Sequence, residues 1–168
     1  PYNEETRVIA VGENTSLIID IEDHLDKTFA VQDGSLIVEL LINEYPAIKT
    51  QLVSTPQAGL QRVRDGNVFA FIGSMSAVGN AIRIHSMDDI KVAGSLPDRF
   101  NDIWSIATRK EDKILNSILT KFVLASDKSE IRKILSANYT ITVERTFDYK
   151  KLIPFIILVI AIFIATIF

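Results

Sequence analysis

Two short polar turns carry the side chains best placed for binding chemistry in this sequence: Asp33-Gly34-Ser35 and Gly73-Ser74. Each follows an apolar, β-branched run and precedes an amphipathic segment. A strand, a polar turn and a helix leave unpaired backbone N–H groups at the carboxyl edge of a parallel sheet, where they attract anions. If the two turns share that edge, Gly34, Ser35 and Ser74 converge on one small ligand. Both turns also read as routine strand-to-helix connections, and Ser35 reads first as a helix cap.

Other chemistries find little support. His24 and His85 are the only histidines, and neither has a partner at metal-ligand spacing. DGSLI around Ser35 is not a nucleophile elbow, and nothing identifies a base to activate the hydroxyl. No Walker or dinucleotide-binding glycine pattern occurs, and zero cysteines exclude disulfides and thiolate chemistry. The reading is of a non-enzymatic segment with no catalytic residues, no metal and no cofactor.

These turns must be held by the elements around them. Arg7–Val11, Thr28–Val31, Lys49–Val53, Val68–Gly73, Ile90–Ala93 and Ile103–Thr108 read as strands. Ser16–Lys27 reads as a short amphipathic helix or turn, and Leu36–Tyr45, Gln57–Arg64 and Met75–Ile84 as helices. Glu111–Ala125 and Asp127–Ala137 follow as two helices in succession, and Ile114, Leu115, Ile118, Leu119 and Phe122 predict one inward-packing face. The alternation predicts an α/β fold with a mostly parallel sheet flanked by helices. VFAFIG, apolar almost throughout, suits a strand buried on both faces.

The 168 residues suffice for one domain plus an appendage. A net charge of −3, with no basic cluster longer than two residues, argues against nucleic acid as a partner. All 18 Lys and Arg and all 21 Asp and Glu precede Leu152. The remaining LIPFIILVIAIFIATIF, behind Lys150 and Lys151, reads as a transmembrane helix of about 26 Å, near the short limit of a span. Pro154 falls in its first turn, where a missing N–H breaks no helical bond. Since Pro1 is no initiator methionine, the sequence is expected to be a piece of a longer chain.

LDKTFAVQDGSLIVELL, LVSTPQAGLQRVRDGNVFAFIGSMSAV, DIKVAG and DIWSIATRKEDKILNSILTKFV resemble, in order and spacing, the second lobe of class II periplasmic solute-binding proteins of the amino-acid-receptor branch, also called bacterial extracellular solute-binding protein family 3. AFIGSMSAVGNAIR and TITVERTFDYKKLIPFIILVIAIF resemble the membrane-proximal lobe of a virulence-sensor-type periplasmic sensor domain. The resemblance implies a lobe of a type II periplasmic-binding-protein fold at 1–138, a connector at 139–148 and the transmembrane helix at 149–168. It implies that Gly34 and Ser35 hold a ligand carboxylate, and that Ser74 stands where amino-acid receptors place an aspartate for the ligand's ammonium group. That departure, and Phe69 at another position often held by aspartate, disfavour an ordinary α-amino acid. Tyr2, Trp104 and Ser105 fall at the hinge between lobes.

The implied function is ligand sensing in the periplasm by a bacterial inner-membrane receptor such as a sensor histidine kinase or diguanylate cyclase. Its partners would be a small, carboxylate-bearing solute, the inner membrane through the C-terminal helix, and a second copy in a homodimer. Two alternatives remain open: a membrane-tethered solute-binding component of an ABC transporter, and an interaction module of the same fold that has lost its ligand.

Overall fold

The computed structural model describes residues 1–136. Seven strands and five helices follow one another as β1 (Asn3–Glu5), β2 (Arg7–Gly12), β3 (Thr28–Gln32), α1 (Leu36–Glu44), β4 (Lys49–Val53), α2 (Pro56–Arg64), β5 (Ala70–Ser74), α3 (Met75–His85), β6 (Ile90–Ser95), β7 (Asp102–Trp104), α4 (Lys113–Ala125) and α5 (Lys128–Ser136). Single 3-10 turns occupy Ile21–His24 and Asp98–Phe100.

Five strands form one sheet in the order β4-β3-β5-β2-β6, and β1 pairs with β7 in a separate two-stranded ribbon. β3 runs parallel to both β4 and β5, with Phe29 opposite Thr50 and Ala70. β2 runs against both its neighbours, β5 and β6. The sheet is therefore not mostly parallel as expected: β2 is antiparallel on both sides, leaving two parallel and two antiparallel pairings. An apolar run buried on both faces is compatible with either direction, so its composition carries no directional signal. β2 reaches β3 through a long irregular segment instead of a crossover helix, and only the single turn at Ile21–His24 is helical in Ser16–Lys27.

The pleat divides the core into two layers. Ile9, Val11, Phe29, Val31 and Ile72 face one side with Ile37 and Leu41 of α1. Val8, Ala10, Ala30 and Phe71 face the other with Leu60 and Val63 of α2 and Val78 of α3. Gly73 leaves room for the Phe71 ring, since a Cβ there would come within 2.6 Å of Phe71 Cε1. That packing lies next to Ser74, the last residue of β5.

The last part of the chain departs from expectation. Ile103–Thr108 is a strand only as far as Trp104, because its partner β1 is just three residues long. The apolar face of α4 does not pack inward: Ile114 is 79% and Phe122 67% exposed, and no described residue of the helix is buried. Helical spacing identifies an apolar face, but what covers that face is a tertiary matter. The expected connector at 139–148 and transmembrane helix at 149–168 lie outside the described residues. Among the described residues, no helix is long and apolar enough to cross a membrane.

Candidate functional site

β3 and β5 are parallel neighbours in register, so the turns following them open on one sheet edge. Ser35 and Ser74 both line a hollow of about 570 Å³ at that edge, with Arg7, Gln32, Arg99, Asp102 and Trp104 also in its wall. The two serines suggested by sequence are thus brought together, although their hydroxyls have different employment.

Ser35 occupies the N-cap position of α1 in extended conformation, yet its side chain caps nothing. The role of side-chain cap assigned to Ser35 is therefore not realised. Its Oγ instead accepts a hydrogen bond from Arg7 Nη2 at 3.4 Å. The turn before it closes through Ser35 N–H donating to Gln32 O (3.3 Å), with Gly34 at φ 70°. Such a backbone position favours glycine, because a Cβ would crowd the following carbonyl. The Gly34 N–H is donated to Asp33 Oδ1 at 2.9 Å, and Gly34 is not among the residues lining the hollow.

At α3 the corresponding terminus is filled from within the protein. Ser74 Oγ accepts from Ala77 N–H at 3.4 Å, and the carboxylate of Glu5 accepts from Ser76 N–H. Glu5, at the end of β1, is only 8% exposed. An anion is already seated where the helix dipole and free N–H groups would attract one.

Arg7 is the most conspicuous group that sequence reading missed. It opens β2 directly opposite Ser74 across the antiparallel ladder. Its side chain is 11% exposed and its Nη2 is paired with Asp102 Oδ1, while Nε is buried without a hydrogen-bond partner. A second guanidinium, that of Arg99, pairs with Glu44 at 2.7 Å, lies over Phe100 and donates to the Tyr45 hydroxyl at 3.3 Å. Burial pushes the Tyr45 phenol above its ordinary pKa, against the opposing pull of Arg99, so it remains a neutral partner near pH 7. In sequence, Arg7 looks like the solvated start of a strand. Only the β2–β5 register places it beside Ser74.

The three residues expected at the hinge lie together but line different hollows. Trp104 lines the first hollow, whereas Tyr2 and Ser105 line a second of about 350 Å³ with Asn116, Leu119 and Val123 of α4. Tyr2 N–H donates to Trp104 O at 2.9 Å, extending the β1–β7 ribbon by one bond. Phe69 is a packing residue here, edge-on to Phe29 and stacked on His24. Among the described residues, no group of three or more His, Cys, Asp and Glu side chains could hold a metal ion. The polar lining of the first hollow consists of the Ser35 and Ser74 hydroxyls, the Arg7 and Arg99 guanidinium groups, the Gln32 and Asn101 amides and the Asp102 carboxylate.

No protein-family model and no curated protein matches the chain. Solved structures do. The periplasmic VFT2 domain of Bordetella pertussis BvgS superposes with a TM-score of 0.65 at 23% identity, covering 82% of this chain and 58% of that one. A histidine kinase sensor domain with similarity to periplasmic binding proteins gives 0.62 at 16% identity, over 83% of this chain and 60% of that one. The solute receptor for L-cysteine of Neisseria gonorrhoeae gives 0.60 at 16%, over 81% and 54%. The chain has an α/β fold similar to one lobe of a periplasmic binding protein, consistent with type II. It spans less than two thirds of the length of these structures.

Proposed function

We propose that this chain is the membrane-proximal lobe of a periplasmic ligand-sensing domain in a bacterial inner-membrane receptor. The observation that carries the reading is the open α1 terminus: a strand-to-helix turn whose serine hydroxyl is not spent on capping, facing a polar hollow at the sheet edge. Sensor domains among the structural neighbours favour sensing over catalysis. In this reading the Ser35 hydroxyl holds an anionic head group, Gly34 supplies the left-handed turn that presents it, and Ser74 borders the same space. A second lobe closes over the hollow about the β1–β7 ribbon, with Tyr2, Trp104 and Ser105 at the pivot. Ligand binding then shifts a population of open and closed forms without performing chemistry. The segment 149–168 would carry the motion through the inner membrane to a kinase or cyclase module, in a dimer.

The test is a thermal-shift screen of the complete periplasmic region against carboxylates, amino acids and amines. A ligand that binds only the folded state raises the melting temperature in a concentration-dependent way. Ser35→Ala combined with Gly34→Ala should weaken that response while the protein stays folded. An unchanged affinity would reject this site. A flat response to every compound would favour an interaction module that has lost its ligand. The neighbouring solute receptor keeps a transporter-linked role in view, and the module that follows the membrane segment in the full gene distinguishes it from sensing.

A further inference from the structure

Arg7 is nearly buried, yet its guanidinium is incompletely used. Asp102 engages it through one oxygen on Nη2, and Ser35 Oγ adds a long contact to the same nitrogen. Nε, the other arm of the side-on fork that grips a carboxylate with two parallel bonds, has no acceptor. A guanidinium so far removed from water is stabilised best when every donor is matched, and a one-oxygen contact does not match it. Arg7 and Asp102 line the same hollow as Ser35 and Ser74, and Asp102 would have to give way for a ligand to reach the buried Nε.

We propose that Arg7 is the anion-gripping residue of this lobe and that Asp102 is a resident competitor for it. The proposal rests on the ligand-sensing reading above and specifies its ligand class: a solute bearing a carboxylate. That carboxylate takes Nε and Nη2 side-on, with the Ser35 hydroxyl donating to one of its oxygens, and Asp102 gives up Nη2. Asp102 opens β7 and lies opposite Glu5 in the β1–β7 ribbon. The exchange of partners on Arg7 is therefore felt directly at that ribbon.

The competition has a signed signature that a purely structural ion pair lacks. Isothermal titration calorimetry on the full-length chain in mild detergent, with succinate, glutamate, putrescine and glucose as probes, reads it. Succinate should bind the natural chain, and glutamate, whose ammonium group meets Ser74 instead of an aspartate, should bind less tightly. Arg7→Gln should weaken that binding by about tenfold or more, and Arg7→Lys, which keeps the charge but lacks the fork, should restore little of it. Asp102→Asn should tighten it several-fold by removing the competitor. Should Arg7→Gln fail to fold, Asp102→Asn alone decides, since unchanged or weaker carboxylate binding in that variant overturns the proposal. Absence of binding by both carboxylates overturns it too. Binding of putrescine or glucose in that case leaves the ligand-sensing reading standing, so the two ideas fail separately.

Discussion

α1 and α3 start alike and end up in opposite states. Each follows a strand of the same sheet, each has serine at its N-cap, and the two strands are adjacent and parallel. At α3 the serine caps its own helix and Glu5 adds a buried carboxylate. At α1 the serine caps nothing and contacts Arg7. The difference arises from β1 and β2, the strands that bring Glu5 to one terminus and Arg7 to the other. A helix start supplied with an internal anion is a structural joint; one left open beside a guanidinium is available for a ligand.

Urea denaturation tests this contrast. The largest effect is expected for Glu5→Ala, which strands the Ser76 N–H and should cost about 2–3 kcal/mol. Glu5→Gln, keeping an acceptor, should cost less. Gly34→Ala comes next: a Cβ at φ 70° should cost about 1–2 kcal/mol, although no neighbouring atom obstructs it. Ser74→Ala should lose about 0.5–1 kcal/mol, because it removes a real but long cap bond. The smallest change is expected for Ser35→Ala, about 0.5 kcal/mol or less, since no capping bond is lost. Equal losses for the two serine variants, at unchanged denaturant dependence, would erase the distinction between the two termini.

Much of the architecture was legible along the chain. The helix expected at Gln57–Arg64 is α2, which starts one residue earlier with Thr55 Oγ1 accepting from Ala58 N–H at 3.1 Å, and Lys49–Val53 stands as a strand with its expected bounds. Strand and helix segments were readable because hydrophobic periodicity and caps act over a few neighbours. The positions of Ser35 and Ser74 at one edge also followed, since consecutive strand-turn-helix units place their turns on the same side of a sheet.

What these local signals did not carry was partnership. The direction of β2, the exposure of the α4 face and the use of each serine depend on residues far away in sequence: Arg7 meets Asp102 across 95 positions, and Glu5 meets Ser76 across 71. Which segments become strands and helices, and where polar turns interrupt them, was written locally along the chain, because those preferences are set by short-range sterics and burial. Which turn is sealed and which stays open emerged with the assembled sheet, because a hydrogen bond or an ion pair forms where strand pairing brings its two ends together.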